Sequence, residues 1–172
     1  MKNNSRQHGF TLLELMATTA MLAVLSTATM TLVRTSYSAW NRHEDDQETR
    51  QAGIAVLRHI VRHVRQATAV MAVSNANDNE GALAVLMPSG QTLVWKLDGK
   101  TKRVLFGVTT ADQILATNIE KLNFTGYRTD GITSTTEVGL IHSIGVKTEV
   151  ALNHSAIYQG VTTSCQSWLR AW

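Results

Sequence analysis

The chain has 172 residues, a formal net charge of +3 and a single cysteine, Cys165. Charged residues make up 17% and apolar ones 44%, which excludes extended disorder, because disordered chains are rich in charge and poor in apolar side chains. One cysteine excludes an internal disulfide framework and any multi-cysteine zinc site, and so mild a charge does not require nucleic acid as a partner.

Residues 1–9 are polar and carry Lys2 and Arg6. The next 24 residues, Phe10–Val33, hold sixteen apolar side chains, six Thr, Ser26 and one charge, Glu14. As a helix rising 1.5 Å per residue, this run spans ~36 Å, enough to cross a hydrocarbon core of about 30 Å. The basic residues before it favour a cytoplasmic N-terminus, with the rest of the chain on the far side. The run is long for a buried core helix. A cleaved secretory signal would need an apolar region of about 7 to 15 residues ending in a small-residue site. Ser26-Thr27-Ala28 offers a weak one, but the apolar run continues past it. A retained anchor fits best. Inside such an anchor a carboxylate costs up to about 2.5–3.5 kcal/mol, so Glu14 asks for a cation, and the run contains none. Cleavage after Gly9 would create one, the α-amino group of Phe10, about one helical turn from Glu14.

The string Gly9-Phe10-Thr11-Leu12-Leu13-Glu14-Leu15 resembles the prepilin leader motif of type IV pilins and type II secretion pseudopilins. The resemblance implies that residues 1–9 are a leader removed between Gly9 and Phe10 by an inner-membrane prepilin peptidase. It implies that the new N-terminal Phe10 is N-methylated, and that Glu14 guides assembly by pairing with a neighbour's N-terminus. It is tight over about residues 2–33 and architectural beyond them. Major pilins often carry a helix-kinking proline in the second half of the apolar segment. Here the one proline is Pro88, which weakens a major-subunit assignment and leaves a minor one open, and the length and β-rich end resemble the J-type minor pseudopilins.

After Val33 the pattern becomes amphipathic. Ile54, Leu57, Val61 and Val64 fall on one helical face, widened by Val56 and Ile60, while Arg58, Arg62 and Arg65 fall elsewhere. One helix is expected from Phe10 to about Val73, with Gly53 as its bend. Residues 75–81 (Asn-Ala-Asn-Asp-Asn-Glu-Gly) terminate it. From Ala82 onward the period changes to two, and nine of the eleven glycines lie after residue 80, where turns need them. Ala82–Met87 and Gln91–Leu97 flank Pro88-Ser89-Gly90 as a hairpin. Asp98-Gly99 is a turn before a strand at 103–109. Ile114–Phe124 suits a short helix or a strand, with Leu122–Tyr127 preferred as strand. Ile144, Val146, Thr148, Val150 and Leu152 alternate with Lys147 and Glu149 as a half-buried strand, and Tyr158–Trp168 is the last. The expected fold class is α+β, a long helix packed on a four- or five-stranded antiparallel sheet. Its parts are a leader at 1–9, a transmembrane and polymerisation helix at 10–33, an amphipathic helix at 34–73 and a β-rich domain at 74–172.

Other chemistry finds less support. His59 and His63 have the i, i+4 spacing of a metal pair, but the intervening string lacks the metalloprotease glutamate and three arginines surround it. A solvated helix face is expected, with no metal and no cofactor. Glu44, Asp45, Asp46 and Glu48 read as a solvated or partner-facing patch. The acidic C-terminal loop that binds calcium in major pseudopilins has no counterpart, since no Asp or Glu follows Glu149. Cys165 reads as a small packed residue, because nothing nearby in sequence would lower its pKa. No nucleophile elbow or phosphate loop is present, so an enzyme is not expected. Arg58, Arg62 and Arg65 form a basic stripe, and Lys100, Lys102 and Arg103 a basic loop. No aromatic platform interleaves with them, which argues against nucleic acid.

The expectation is therefore a structural minor pilin-like subunit of a type II secretion pseudopilus, acting in assembly initiation or tip capping. The alternative is a minor pilin of a type IV pilus in DNA uptake or adhesion. The implied partners are other pseudopilins or minor pilins, the prepilin peptidase and the inner-membrane assembly platform. The implied location is the inner membrane, with a periplasmic C-terminal domain that later joins a filament.

Overall fold

The computed structural model of the protein describes residues 11–151 and 160–169. The chain divides into two units, the first ending at Glu44 and the second beginning at Asp45. Helix α1, Leu12–Val64, contributes residues to both. It is the one helix among the described residues long and apolar enough to cross a membrane, and its most apolar window is wholly exposed. A core helix buries such a surface, so the core-helix reading of residues 12–33 does not apply.

In the second unit, α1 buries one stripe: Gly53, Val56, Leu57, Ile60 and Val64. The seam is rotated from the one that periodicity favours. Ile54 is 37% exposed and Val61 is half-buried, whereas Val56 and Ile60 lie at the centre and are fully buried. Gly53 explains the offset. A Cβ built on it would meet Val150 Cγ1 at 3.0 Å, so a strand crosses close over this glycine and the stripe through it becomes the inner face. α1 continues through Gly53 without interruption, and the residue expected as a bend serves instead as a point of close approach.

α1 ends at Val64 rather than near Val73. The N–H groups of Gln66 and Ala67 turn to the carbonyls of His63 and Val64, tightening the last turn. The N–H and the hydroxyl of Thr68 both donate to the Leu86 carbonyl, at 2.8 and 3.0 Å. That contact diverts the chain into strand β1, Ala69–Val73. The local sequence contains no breaker, so the ladder with the next strand decides.

Among the described residues eight strands follow in two antiparallel sheets, where one sheet of four or five was expected. The first sheet runs in order β1, β2 (Ala82–Leu86), β3 (Thr92–Asp98), β4 (Arg103–Val108) and β5 (Gln113–Ala116). The second holds β6 (Ile119–Tyr127), β7 (Ser143–Ala151) and β8 (Gly160–Trp168). The Pro88–Gly90 turn pairs Leu86 with Thr92 and Leu83 with Trp95, as the hairpin pattern requires. The ambiguous stretch 114–124 contains β5 and the start of β6, which begins at Ile119 rather than Leu122. In β7 the residues Ile144, Val146, Thr148 and Val150 are buried on one face, as the alternation predicts; Leu152 and Tyr158 lie outside the described residues.

The two sheets are joined through the loop after β1. Gly81 N–H donates to the Leu122 carbonyl at 2.8 Å, and Leu122 N–H to Asn79 at 3.0 Å, forming an isolated parallel bridge between Glu80 and Leu122. A Cβ on Gly81 would lie 2.4 Å from the Leu122 oxygen, so only glycine fits there. The α1 stripe closes a core that contains Trp95, Phe124, Leu83, Leu97, Ile119 and Ile144, all essentially inaccessible. A fully buried side chain such as Phe124 contributes about 1.5–3 kcal/mol by removal of apolar area from water.

Gly53 generates a stability prediction. Alanine gains about 1 kcal/mol of helix propensity but must push Val150 aside, so Gly53→Ala should be close to neutral. Gly53→Leu places a whole side chain in the same gap and should destabilise the second unit by about 1–3 kcal/mol. Urea midpoints of the detergent-solubilised chain check this. A leucine variant as stable as wild type would show that the close approach does not constrain the fold.

Candidate functional site

The first described turn of α1 is built around Glu14. Thr11 precedes the helix, and Glu14 N–H donates to its Oγ1 at 3.3 Å and to its carbonyl at 3.1 Å. Thr11 thus occupies the capping position, and Thr-Leu-Leu-Glu is the spacing of a capping box, with Glu14 third in the helix. A carboxylate there also faces the positive end of the helix dipole. Glu14 therefore has a local reason to occupy this position, in addition to any pairing with a neighbour. The Gly9–Phe10 junction lies outside the described residues.

Around and downstream of Glu14 the surface is apolar on all sides: Leu12, Leu13, Met16, Met21, Leu22, Leu25, Leu32 and Val33 are all exposed. The interspersed hydroxyls bond back along the helix. Thr18 and Thr19 donate to the Leu15 carbonyl at 3.0 Å each, Ser26 to Leu22 at 2.8 Å, Thr29 to Leu25 at 2.9 Å and Thr31 to Thr27 at 3.0 Å. Thr27 similarly reaches Ala23. These bonds satisfy the polar groups internally, the condition that a lipid environment sets for any spanning segment. Five threonines and a serine are thereby compatible with a membrane segment.

The histidine pair does not form a solvated face. His59 and His63 are half-buried and lie over the β3–β4 aromatics. Their ring centroids are 4.4 Å apart, His59 stands edge-on to Phe106 at 4.7 Å, and His63 lies 5.8 Å from Trp95. The indole Nε1–H of Trp95 donates to His59 Nδ1 at 3.2 Å, and His63 Nδ1 lies 2.8 Å from the His59 carbonyl. Each Nδ1 is thus engaged within the protein. Burial, followed by the nearby charges of His63 and Arg62, holds the His59 pKa below the ordinary histidine value. The spacing that suggested a metal pair instead places two imidazoles on an aromatic ledge. Sequence reading missed this because Trp95 and Phe106 are far away in the chain.

The remaining candidates are dispersed. Asp45, Asp46 and Glu48 line a groove of about 180 Å³ together with Thr49, Thr117 and Asn118. Cys165 is exposed on β8, opposite Val146, not packed as expected. Its side chain shares the inner face of the second sheet, but β8 is that sheet's edge strand. Of the basic residues, Lys102 pairs with Glu120 at 2.7 Å, and Arg58, Arg62 and Arg65 are exposed. A feature absent from the sequence reading is the loop at Asp130. Its carboxylate accepts from the N–H groups of Ile132 and Thr133 and from the Thr133 hydroxyl. These bonds, the hydroxyl first, lower its pKa to about 2 and fix a turn with Ile132 82% exposed at its tip. Among the described residues no three His, Cys, Asp or Glu side chains converge on a metal centre.

The geometry defines a class first: an apolar, self-satisfied N-terminal helix that continues into a helix-on-sheet domain. Residues 4–30 match the family model of the prokaryotic N-terminal methylation motif. This match and the long apolar helix are consistent with the superfamily of type IV pilins and type II secretion pseudopilins, without singling out a subtype. Comparisons with curated proteins and with solved structures found no match.

His59 generates a pH prediction. Its folded pKa lies below the unfolded value of about 6.5, so the unfolded chain takes up the proton first. The stabilisation from this residue is then fully present above about pH 6.5 and is lost as pH falls toward the folded pKa. Protonation also removes the acceptor used by Trp95. His59→Gln retains an acceptor and cannot titrate. Between about pH 7 and pH 5 its stability should therefore fall less steeply than that of wild type, as read from urea midpoints. Parallel curves would show that His59 is not the titrating group.

Proposed function

We propose that the protein is a structural minor pilin-like subunit of a type II secretion pseudopilus, acting in assembly initiation or tip capping. The observation that carries this reading is one coincidence. A basic leader ends at Gly9-Phe10, Glu14 follows one turn later, and an outward-facing apolar helix begins there. None of the three alone would call for the others; a processed, polymerising anchor calls for all of them.

In this reading the chain enters the inner membrane through residues 10–33, with the leader cytoplasmic and the second unit periplasmic. Prepilin peptidase cuts after Gly9, and Phe10 is methylated. The Glu14 carboxylate of one subunit then meets the Phe10 amine of another where little water screens the attraction. Moving the apolar segment from lipid into a bundle of like helices changes little free energy, because lipid tails and leucine side chains are equally apolar. A single charge pair is then enough to set the register. The other pseudopilins and the assembly platform supply the neighbours. A minor pilin of a type IV pilus would use the same N-terminal device. Deleting the chain from a host should therefore abolish secretion of exoproteins under this reading and piliation or DNA uptake under that alternative.

Two measurements test the device. Intact mass of the membrane-extracted protein should show loss of residues 1–9 and gain of one methyl group; a mass that retains Met1, or a cut near Ala28, excludes processing at Gly9. Co-purification of partner pilins from solubilised membranes tests Glu14. Glu14→Leu should still insert and be cleaved, yet recover several-fold less partner. Glu14→Gln can keep the capping box without the charge, so its loss of partner measures the charge pairing alone. If both variants capture partners like wild type, Glu14 is a capping residue and not an assembly residue.

A further inference from the structure

Beyond Val33, two large aromatic side chains project from the first unit. Tyr37 is 69% and Trp40 is 72% exposed. They are three residues apart, so they share one side of the helix. They directly continue the exposed apolar surface of Met30, Leu32 and Val33, with Arg34 between. Tyrosine and tryptophan pair an apolar ring with a polar O–H or N–H, and such residues collect where hydrocarbon meets headgroups.

We propose that Tyr37 and Trp40 form an interfacial anchor in the lipid headgroup zone, which together with Glu14 at the opposite boundary fixes the resting depth of α1. The occupant of this aromatic face is the lipid surface, because the face is continuous with the apolar span. This inference rests on the reading of α1 as a membrane helix. The spacing supports it quantitatively. Glu14 and Arg34 are separated by about 30 Å along α1, at 1.5 Å per residue, which equals the thickness of a hydrocarbon core. With the carboxylate at one boundary and the guanidinium at the other, neither charge is buried in hydrocarbon. Tyr37 and Trp40 then lie about 5 and about 9 Å beyond Arg34 along the axis. The headgroup zone is about 5–8 Å deep on each side, and helical side chains lean toward the N-terminus, which draws both rings back into it. A helix with no such marks would be free to slide. Here a shift in either direction drives a charge into hydrocarbon or lifts the aromatic pair out of the interface.

The test uses the full chain in vesicles of phosphatidylcholine and phosphatidylglycerol, with phosphatidylcholine brominated either near the headgroup or near the end of the acyl chain. Subtracting the emission of Trp40→Phe from that of wild type isolates Trp40 from Trp95, Trp168 and Trp172. Vesicle flotation is measured in parallel. Flotation with Trp40 quenched more by shallow than by deep bromine supports the inference. Flotation with Trp40 unquenched, or quenched more by deep bromine, overturns the interfacial anchor and leaves the membrane span standing; an unquenched Trp40 would then face water or a protein neighbour. Failure of the chain to float with the vesicles overturns both.

Discussion

Residues 12–33 of α1 present an apolar surface outward on every side, whereas residues 53–64 of the same helix close a protein core on one side only. The rest of the structure follows from that division. A helix apolar all round is stable only where its surroundings are also apolar, so the first unit requires lipid or other helices. A helix with one apolar stripe requires a sheet, and the second unit supplies it. Between them lies a mostly exposed charged run, from Arg42 through Glu48 to Arg50, with no apolar demand in either direction.

The sheet side of this arrangement is fixed by two glycines in different elements. Gly53 lets α1 approach Val150, and Gly81 lets the loop after β1 lie against the Leu122 backbone. One sets the contact between helix and second sheet. The other ties the second sheet to the first, so that both contribute to the same core around Trp95 and Phe124. The histidines and the β3–β4 aromatics extend that core outward. Trp95 is itself wholly buried and finds its only polar need, an acceptor for its indole N–H, on His59.

What the sequence made legible was local. The long apolar run, the Pro-Ser-Gly hairpin and the alternation of β7 each state their structure within a few residues, and in the described residues each stands where it was read. What it hid depended on partners remote in the chain. The end of α1 is decided by Thr68 reaching Leu86, not by a breaker. The buried stripe is decided by a strand crossing Gly53, so Ile54 is exposed despite its perfect spacing. The joining of the two sheets turns on the Gly81–Leu122 bridge, which has no signature of its own. His59 and His63 have the period of metal ligands, and only the fold shows that their neighbours are rings. Cys165 looks like a core residue by type, but it lies exposed on an edge strand.

The back-bonded hydroxyls of α1 have a mechanical consequence. A serine or threonine that donates to the carbonyl a turn behind competes with the helix ladder there and eases a gentle bend. Such bonds recur from Thr18 to Thr35, in a segment without proline. Compliance in this helix is therefore distributed over several turns, where a proline would concentrate it at one hinge. A fibre whose strands are made of such helices would stretch and curve as a continuous elastic rod under load, with no single weak joint at which to fail.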